Sequence, residues 1–211
     1  MDPRQMALDD AADLELLKRI SDGEEAAFVT LYRRWQGIVY RCALRISGTT
    51  PIAEDVTQEV FLALMNGASR FDPGRGSFAS YVHGMTRNHV MRRITRERIF
   101  APFLDDGEMS GSDSGNLLRR TPDPLGDLTH KESVESLHQA IMTLPLRYRE
   151  VVVWCELEEL SYAEAALVIG CPEGTVRSRL HRARSLLLAK LRDRTSEDAP
   201  VPKIGPARCL S

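Results

Sequence analysis

The sequence has no apolar run approaching the roughly 20 residues that a membrane-spanning helix requires, so we expect no membrane insertion. Its four cysteines form no C-x-x-C pair, and its five histidines keep no ligand-like spacing with cysteine or acidic residues. A G-x-x-x-x-G-K-[ST] phosphate loop and a G-x-S-x-G nucleophile turn are also missing. These absences leave an enzyme without support, and we expect no metal and no other cofactor.

The cysteines stand far apart, and we expect no secretory signal peptide before them. This usage predicts a cytoplasmic protein whose thiols stay reduced. We expect Cys42 and Cys155 to be buried thiols rather than redox sensors. The reactivity of Cys209, in a Pro-rich tail, stays open.

The formal net charge of −2 conceals an uneven distribution. Acidic residues dominate the first 25 positions and the segment 105–127. Two basic helices in an acidic chain indicate local contacts with nucleic acid rather than bulk polycation binding. The basic residues cluster at Arg87, Arg92, Arg93, Arg96 and Arg98, and again at Arg177, Arg179, Arg182, Arg184, Lys190, Arg192 and Arg194.

Apolar residues recur with the helical period and no strand-like alternation is present, so the fold class is predicted to be all-α. One predicted helix is capped by Ser21 or Asp22 and ends at Gly48. Its apolar stripe consists of Phe28, Leu31, Trp35, Val39, Cys42 and Ile46.

Two further helices complete a first module. Thr50 is predicted to cap one that ends at Gly67, with Glu54 and Asp55 in its first turn, where the helix dipole favours acids. The next helix begins after a Ser77 cap and runs to about Arg98, with Phe78, Val82, Met85 and His89 on one side.

The chain is predicted to form two small helical domains joined by a flexible linker. The first domain spans 24–98, after an N-terminal extension or first helix at 1–23. Periodicity disappears in the linker, 99–130, and in a disordered tail, 195–211. The second domain spans 131–194, where helical spacing returns with Val134, Leu137, Ile141 and Leu144.

A helix-turn-helix is predicted within the second domain. Ser161 and Glu164 have the spacing of a capping box at the start of one helix, and Gly170 suits its left-handed end. Pro172 suits the first turn of the basic helix that follows. Such a pair of helices is typical of proteins that read the DNA major groove.

The basic helix keeps one apolar face, and its opposite face is a candidate DNA-contacting surface. Arginine can bind guanine through two hydrogen bonds, and serine or histidine can contact bases or phosphates. The alternative is a solvated basic face on a core helix. The candidate residues are Arg177, Ser178, His181, Arg182 and Arg184.

The third helix of the first module is a second candidate. Its arginines and an amide suit phosphates and bases, and nearby aromatic rings suit stacking on an unpaired base. The alternative is that the rings are core and the arginines solvated. The residues concerned are Arg87, Asn88, Arg92, Arg93, Phe71, Phe78 and Tyr81.

The second helix presents an acidic stripe at Glu54, Asp55, Gln58 and Glu59. A solvated face explains such a stripe, and docking to a basic helix of another protein also fits it.

Four segments together resemble the extracytoplasmic-function group of the sigma-70 family, which are bacterial RNA polymerase sigma factors. Asp55-Val56-Thr57-Gln58-Glu59-Val60-Phe61 is similar to the family's D-x-x-Q-E-x-F segment, and 78–88 to its F-x-x-W-L-x-x-I-A-R-N pattern. Leu144-Pro145 with 160–164 resembles the start of its C-terminal domain, and 174–179 its G-T-V-x-S-R signature. In this order and spacing the motifs are highly specific.

The resemblance implies an alternative sigma factor that binds core RNA polymerase, directs it to specific promoters and helps melt the −10 element. Asp55, Gln58, Glu59 and Phe61 would bind the β′ clamp helices, and the β flap would be a further contact. Phe71, Arg75, Phe78, Tyr81, Arg87, Asn88, Arg92 and Arg93 would bind the −10 element. Thr175, Arg177, Ser178, His181, Arg182 and Arg184 would bind the −35 element. An anti-sigma factor is expected by resemblance alone.

Two other functions stay open on the sequence. A stand-alone helix-turn-helix regulator explains the second domain but leaves 55–61 and the Arg87–Arg93 helix without a role. An RNA-binding or structural adaptor predicts no promoter preference. The chain also departs from the family pattern at Tyr81, at 83–86 and at Trp154-Cys155.

Overall fold

The computed structural model describes residues 3–67, 71–100, 134 and 136–197, and in these segments the regular elements are helices, without a strand. This confirms the all-α prediction. The first module contains α1 (Pro3–Ser21), α2 (Glu25–Ser47), α3 (Thr50–Gly67), a 3₁₀ turn (Pro73–Arg75) and α4 (Phe78–Phe100).

The second module contains α5 (136–142), α6 (Leu146–Val152), a π-helical turn (Val153–Leu157), α7 (Tyr162–Ile169) and α8 (Glu173–Glu197). α8 extends three residues into the segment predicted as tail, and α4 extends two into the predicted linker. The rest of that linker and the rest of the tail lie outside the described residues. No helix in the described segments has the length and apolar character of a membrane span.

α2 is the central helix of the first module. The predicted stripe is buried from Leu31 to Ile46, and Gly48 ends the helix in a left-handed conformation, φ 82°, where its N–H donates to the Leu44 carbonyl at 2.8 Å. The predicted cap at Ser21 or Asp22 is wrong. Glu24 holds the N-cap position, because the two earlier residues belong to the end and turn of α1.

The starts of α3 and α4 depend on short polar side chains. Thr50 is the first residue of α3 rather than its cap, so this helix starts one residue earlier than predicted. The Ser77 cap is confirmed, since its hydroxyl accepts from the Ser80 N–H at 3.1 Å. Asp10 of α1 accepts the Phe78 N–H at 2.6 Å and thereby holds α1 against the start of α4.

A buried carboxylate fixes α1 on α2. Asp13 accepts from the Trp35 indole and from Arg34, each at 2.9 Å. Burial raises the pKa of Asp13, and the hydrogen bonds from Trp35 and Arg34 act in the opposite direction. A buried charge with two good partners is tolerated where an unpaired one would be costly.

The second module packs α6, the π turn and α7 around α8. Its core includes Ile141, Leu144, Trp154, Val176 and Leu180, all buried. The other two members of the predicted apolar spacing, Val134 and Leu137, are exposed.

The two modules pack directly against each other, with α4 against α7. Arg87 donates to Glu150 at 2.6 Å, and Arg45 donates to Glu158 at 2.8 Å. His83 lies against the indole of Trp154, with ring centroids 5.1 Å apart. Two positions that depart from the sigma-factor pattern therefore meet at the contact between the modules.

Candidate nucleic-acid and partner interfaces

The helix-turn-helix is formed as the sequence predicts. The Ser161 hydroxyl accepts from the Glu164 N–H at 3.2 Å, and the Glu164 carboxylate accepts from the Ser161 N–H at 2.9 Å. Gly170 ends α7 with φ 74°. Pro172 stands just before α8, and its carbonyl accepts from Thr175 at 2.9 Å and from Val176 at 3.2 Å. Local caps therefore fix both ends of the turn.

α8 buries one face and leaves a basic face exposed. Val176, Leu180 and Ala183 are buried against the second module. On the other side Arg177, Ser178, His181 and Arg182 are all exposed, and Arg184, also exposed, forms an ion pair with Glu156. Thr175 is half-buried near the start of the helix. The predicted −35 residues thus form a continuous surface along the first three turns.

Two contacts pre-position Arg177 within this basic face. Its guanidinium donates to Glu173 at 3.0 Å and lies 5.7 Å from the centre of the Tyr162 ring. The Ser178 hydroxyl donates to the Thr175 carbonyl at 3.0 Å. Exposed ion pairs of this kind contribute about 0.2–1 kcal/mol, so exchanging Glu173 for a DNA phosphate is inexpensive.

The polar −10 candidates on α4 divide into two pairs. Asn88 and Arg92, four residues apart, are exposed on one face of the helix. Arg93 instead contacts α3, through Asp55 at 2.9 Å and through Glu59. Arg87 contacts Glu150 of the second module. Only the first pair faces solvent.

The aromatic −10 candidates form one packed cluster. The Phe71 ring lies 5.7 Å from Phe78 and 5.1 Å from Tyr81, centre to centre. Phe78 is fully buried, so in this conformation it supports the cluster and cannot stack on a base, whereas Phe71 and Tyr81 are half-buried. The backbone of Arg75 lies in the 3₁₀ turn, and its side chain is outside the described residues.

The outer face of α3 carries the predicted polymerase-binding residues. Asp55 and Gln58 are exposed, and Glu59 is half-buried beneath Arg93 and His89, whose Nδ1 lies 2.7 Å from it. Burial by itself would raise the pKa of Glu59, but the hydrogen bonds from Arg93 and His89 outweigh burial and lower it.

Phe61 points into the protein rather than toward a partner. It is 3% exposed and packs against Phe28 and Tyr32, at 6.3 and 4.7 Å between ring centres. Such aromatic contacts hold α3 on α2. Phe61 therefore supports the acidic face from beneath.

Two apolar residues that the sequence reasoning missed continue the acidic face. Leu62 is 57% exposed and Met65 52% exposed. With Asp55 and Gln58 they follow the spacing of three and four that places residues on one side of a helix. That spacing was the available signal, although large apolar residues are usually read as core.

A groove of about 540 Å³ lies between α2 and α3, beside this face. Arginines line one wall and Glu54, Thr57 and Gln58 the other. Polar groups of both signs beside exposed apolar side chains are typical of protein-binding surfaces.

Comparison with known proteins matches both modules. The family model "Sigma-70 region 2" matches residues 31–99, and the model "Sigma-70, region 4" matches residues 134–187. These ranges contain, respectively, the acidic face with the α4 residues and the helix-turn-helix.

Curated proteins match over most of the chain. The chain is 34% identical over 181 residues to the ECF RNA polymerase sigma factor SigE of Mycolicibacterium smegmatis, covering 84% of this chain and 67% of that protein. It is 30% identical over 179 residues to the ECF RNA polymerase sigma-E factor of Escherichia coli K12, covering 83% of this chain and 92% of that one.

A solved structure shows a similar fold. It is the co-crystal structure of the sigma factor RpoE in complex with the anti-sigma factor NepR from Bartonella quintana. The TM-score is 0.63 at 21% identity, over 78% of this chain and 96% of that one.

Proposed function

The chain belongs to the extracytoplasmic-function group of the sigma-70 family, and we propose that it uses the surfaces of α3, α4 and α8 to join core RNA polymerase to promoter DNA. It is an alternative sigma factor that directs the polymerase to specific promoters. Its family consists of transcription initiation factors, and in this role the chain supplies recognition while the polymerase supplies the chemistry. We place it in the cytoplasm, where it meets the polymerase.

The basic face of α8 reads the −35 element as duplex DNA. The capped helix-turn-helix is the observation that carries this assignment, because recognition helices of such motifs contact base edges with their N-terminal residues. Arg177 and Arg182 suit guanine or phosphate, and Ser178 and His181 suit bases or phosphates between them. The N-terminus of α8 adds a favourable position for a phosphate.

The exposed face of α4 binds the −10 element once it is melted. The Asn88 amide suits a base edge and Arg92 a phosphate, while Phe71 and Tyr81 offer partly exposed rings for stacking. Arg87 and Arg93 join them only after leaving Glu150, Asp55 and Glu59. Binding at −10 therefore requires ion pairs to be exchanged.

The outer face of α3 binds the β′ clamp helices of the polymerase. Asp55 and Gln58 supply polar contacts, and Leu62 and Met65 supply apolar area that loses water on docking. Docking that attracts Arg93 away from Asp55 would also alter the −10 face. A contact of the second module with the β flap completes the proposed assembly.

The closed arrangement of the modules cannot serve both promoter elements at once. Elements at −35 and −10 lie about 25 base pairs apart, which is roughly 85 Å of B-form DNA. A compact chain of this length has a radius of gyration of about 17 Å. The modules must separate on the polymerase, and an anti-sigma factor that binds these surfaces would prevent it.

In vitro transcription from a random promoter library tests the function. Core polymerase with this chain should start transcription at promoters sharing two sequence elements, and core polymerase alone should not. Arg177→Ala should reduce this activity, whereas Lys190→Ala, about 20 Å further along α8, removes the same charge and should not. Transcription that is no higher with the chain than without it would contradict the proposal.

Two measurements separate the alternatives: binding of the free chain to duplex promoter DNA, and promoter preference in the same library. A stand-alone regulator would bind duplex DNA equally tightly without polymerase, and an adaptor would show no promoter preference. The folded state of each variant is checked by far-ultraviolet circular dichroism.

A further inference from the structure

A cluster of metal-ligating side chains lies between the two modules. Each of Cys42, His83 and Glu158 offers one potential ligand atom, and these three atoms lie within 4.8 Å of one another. Cys42 belongs to α2 and His83 to α4, whereas Glu158 follows the π turn of the second module. Cys42 and His83 are buried and Glu158 is half-buried. The ligands are far apart in sequence, which is why spacing motifs did not reveal them.

His83 is buried without a polar partner. Within the described residues neither of its ring nitrogens has a hydrogen-bond partner, although only 4% of the residue is exposed to solvent. Trp35 and Trp154 enclose the ring, with centroids 5.9 and 5.1 Å away. Buried polar atoms are nearly always satisfied, so an unpartnered imidazole indicates a ligand.

The protonation state of His83 suits coordination. Burial lowers its pKa to about 4, with a smaller opposing effect from Glu164. The imidazole is therefore neutral near pH 7, which is the form that binds metals.

Glu158 and Cys42 face each other across the contact between modules. Burial, together with the Glu158 carboxylate, raises the pKa of the Cys42 thiol, and the nearby Arg45 and Arg41 oppose this with smaller effects. Arg45 donates to Glu158 at 2.8 Å and orients the carboxylate. Hydrogen-bonded partners of this kind position metal ligands in many sites.

We propose that Cys42, His83 and Glu158 bind one Zn²⁺ ion that bridges the two modules of this sigma factor. Thiolate, imidazole and carboxylate are the three ligand types that zinc accepts, and a water molecule completes a tetrahedral set. Bonds of about 2.0–2.3 Å place tetrahedral ligand atoms about 3.5 Å apart, so the side chains close by about 1 Å. On binding, a Zn–S bond forms and the thiol proton leaves to solvent.

The bridge holds the closed arrangement of the modules. Two ligands come from the first module and one from the second, so separation of the modules removes Glu158 from the ion. Zinc therefore opposes the opening that promoter binding needs. This consequence rests on the proposed function, whereas metal binding itself does not.

Cobalt substitution tests the site directly. The full chain is freed of metal with a chelator, and Co²⁺ is added, because a thiolate–cobalt bond gives a charge-transfer band in the near ultraviolet. We expect one equivalent of Co²⁺ to produce the band and one equivalent of Zn²⁺ to abolish it. A chain that binds less than one equivalent, or binds it without the band, would overturn the site.

Substitutions identify the ligands. Cys42→Ser should remove the band, His83→Gln should weaken Zn²⁺ binding at least tenfold, and Glu158→Gln should do the same from the other module. Cys155→Ser is the matched control and should retain both the cobalt band and the Zn²⁺ affinity. Because Glu158 lies at a partly exposed position, its variant stays informative even if a substitution at buried Cys42 unfolds the chain. Unchanged affinity in Glu158→Gln would overturn the bridge.

Transcription tests the consequence separately. Loading the chain with Zn²⁺ before core polymerase is added should lower promoter-dependent transcription, and the Glu158→Gln chain should not respond. If the cobalt band appears but zinc leaves transcription unchanged, the regulatory part is wrong. If the chain never supports transcription, the proposed function fails while the cobalt band still decides the site.

Discussion

α8 and α4 carry the two sets of predicted DNA-contacting residues, but they present them differently. The α8 face is exposed, and Arg177 contacts Glu173 on the same helix and the ring of Tyr162. On α4, Arg87 is held by Glu150 and Arg93 by Asp55 and Glu59. The proposed duplex-reading face of α8 is thus open to solvent, whereas the proposed −10 face of α4 is partly occupied by intramolecular contacts.

The difference follows from where each helix lies. α8 has solvent on its outer side, while α4 packs between α3 and the second module. If the proposed roles hold, this arrangement predicts that the chain contacts a −35 element before the modules separate and engages Arg87 and Arg93 at the −10 element only afterwards. The following variants test this contrast, in order of decreasing effect.

Trp154→Ala should have the largest effect. The indole is fully buried at the contact between the modules, and truncating such a side chain costs about 3–5 kcal/mol. We expect lower stability in urea unfolding and, for the molecules that stay folded, a more open chain with α4 exposed. Leu188→Ala, at an exposed apolar position of α8, is the control and should change stability by no more than about 0.5 kcal/mol.

Glu150→Gln should weaken the contact between the modules with a smaller loss of stability than Trp154→Ala. The carboxylate is buried and accepts from Arg87, so replacing its charge costs about 1–3 kcal/mol. We expect a larger radius of gyration in small-angle X-ray scattering and tighter binding of single-stranded −10 DNA. Glu173→Gln makes the same change in the exposed pair with Arg177 and should leave the radius unchanged. Equal radii in both variants would show that the Arg87 contact does not hold the modules together.

Gly84→Ala should stabilise α4 by up to about 1 kcal/mol. A methyl group at Gly84 has no heavy atom within 4 Å, so the substitution adds helix propensity without a clash. Gly174→Ala in the first turn of α8 meets the same open space and should stabilise less. Thermal unfolding measures both. Destabilisation by Gly84→Ala would mean that the packed form of α4 needs the glycine.

The weakest effect is expected for acid titration of the α3–α4 contact. Arg93 and His89 lower the pKa of Glu59, so the ionised carboxylate stabilises the folded state. This stabilisation is complete above pH 4.5, the ordinary pKa of the group, and is lost as pH falls through the lower pKa of the folded state. Because this pair is partly exposed, we expect less than about 1 kcal/mol. The free energy of unfolding, measured in urea, should fall less steeply between pH 6 and about 3 for Glu59→Gln than for the unmodified chain. High salt should reduce this difference.

Local signals predicted the helix-turn-helix well. The capping box of Ser161 with Glu164 and the left-handed Gly170 depend on residues within a few positions, and the structure confirms them. The cap predicted for α2 was wrong because Ser21, a good capping residue, donates to the Leu17 carbonyl and ends α1 instead. Propensity does not tell which of two neighbouring helices a residue serves.

Long-range contacts were beyond the sequence. The helical period indicated a face for α3 but did not show that Phe61 turns toward Phe28 and Tyr32 while Leu62 faces solvent. The ion pairs of Arg87 and Arg93 and the Cys42–His83–Glu158 cluster join distant segments. They depend on how the modules pack, which no local pattern records.

The sharpest measurement compares Arg182→Ala on α8 with Asn88→Ala on α4. Each variant is assembled with core polymerase, and promoter preference is read position by position from a randomised library. We predict that Arg182→Ala relaxes preference only within the −35 element and Asn88→Ala only within the −10 element. Loss of preference at the same positions in both variants, or at neither element, would contradict a two-point reading of the promoter by this chain.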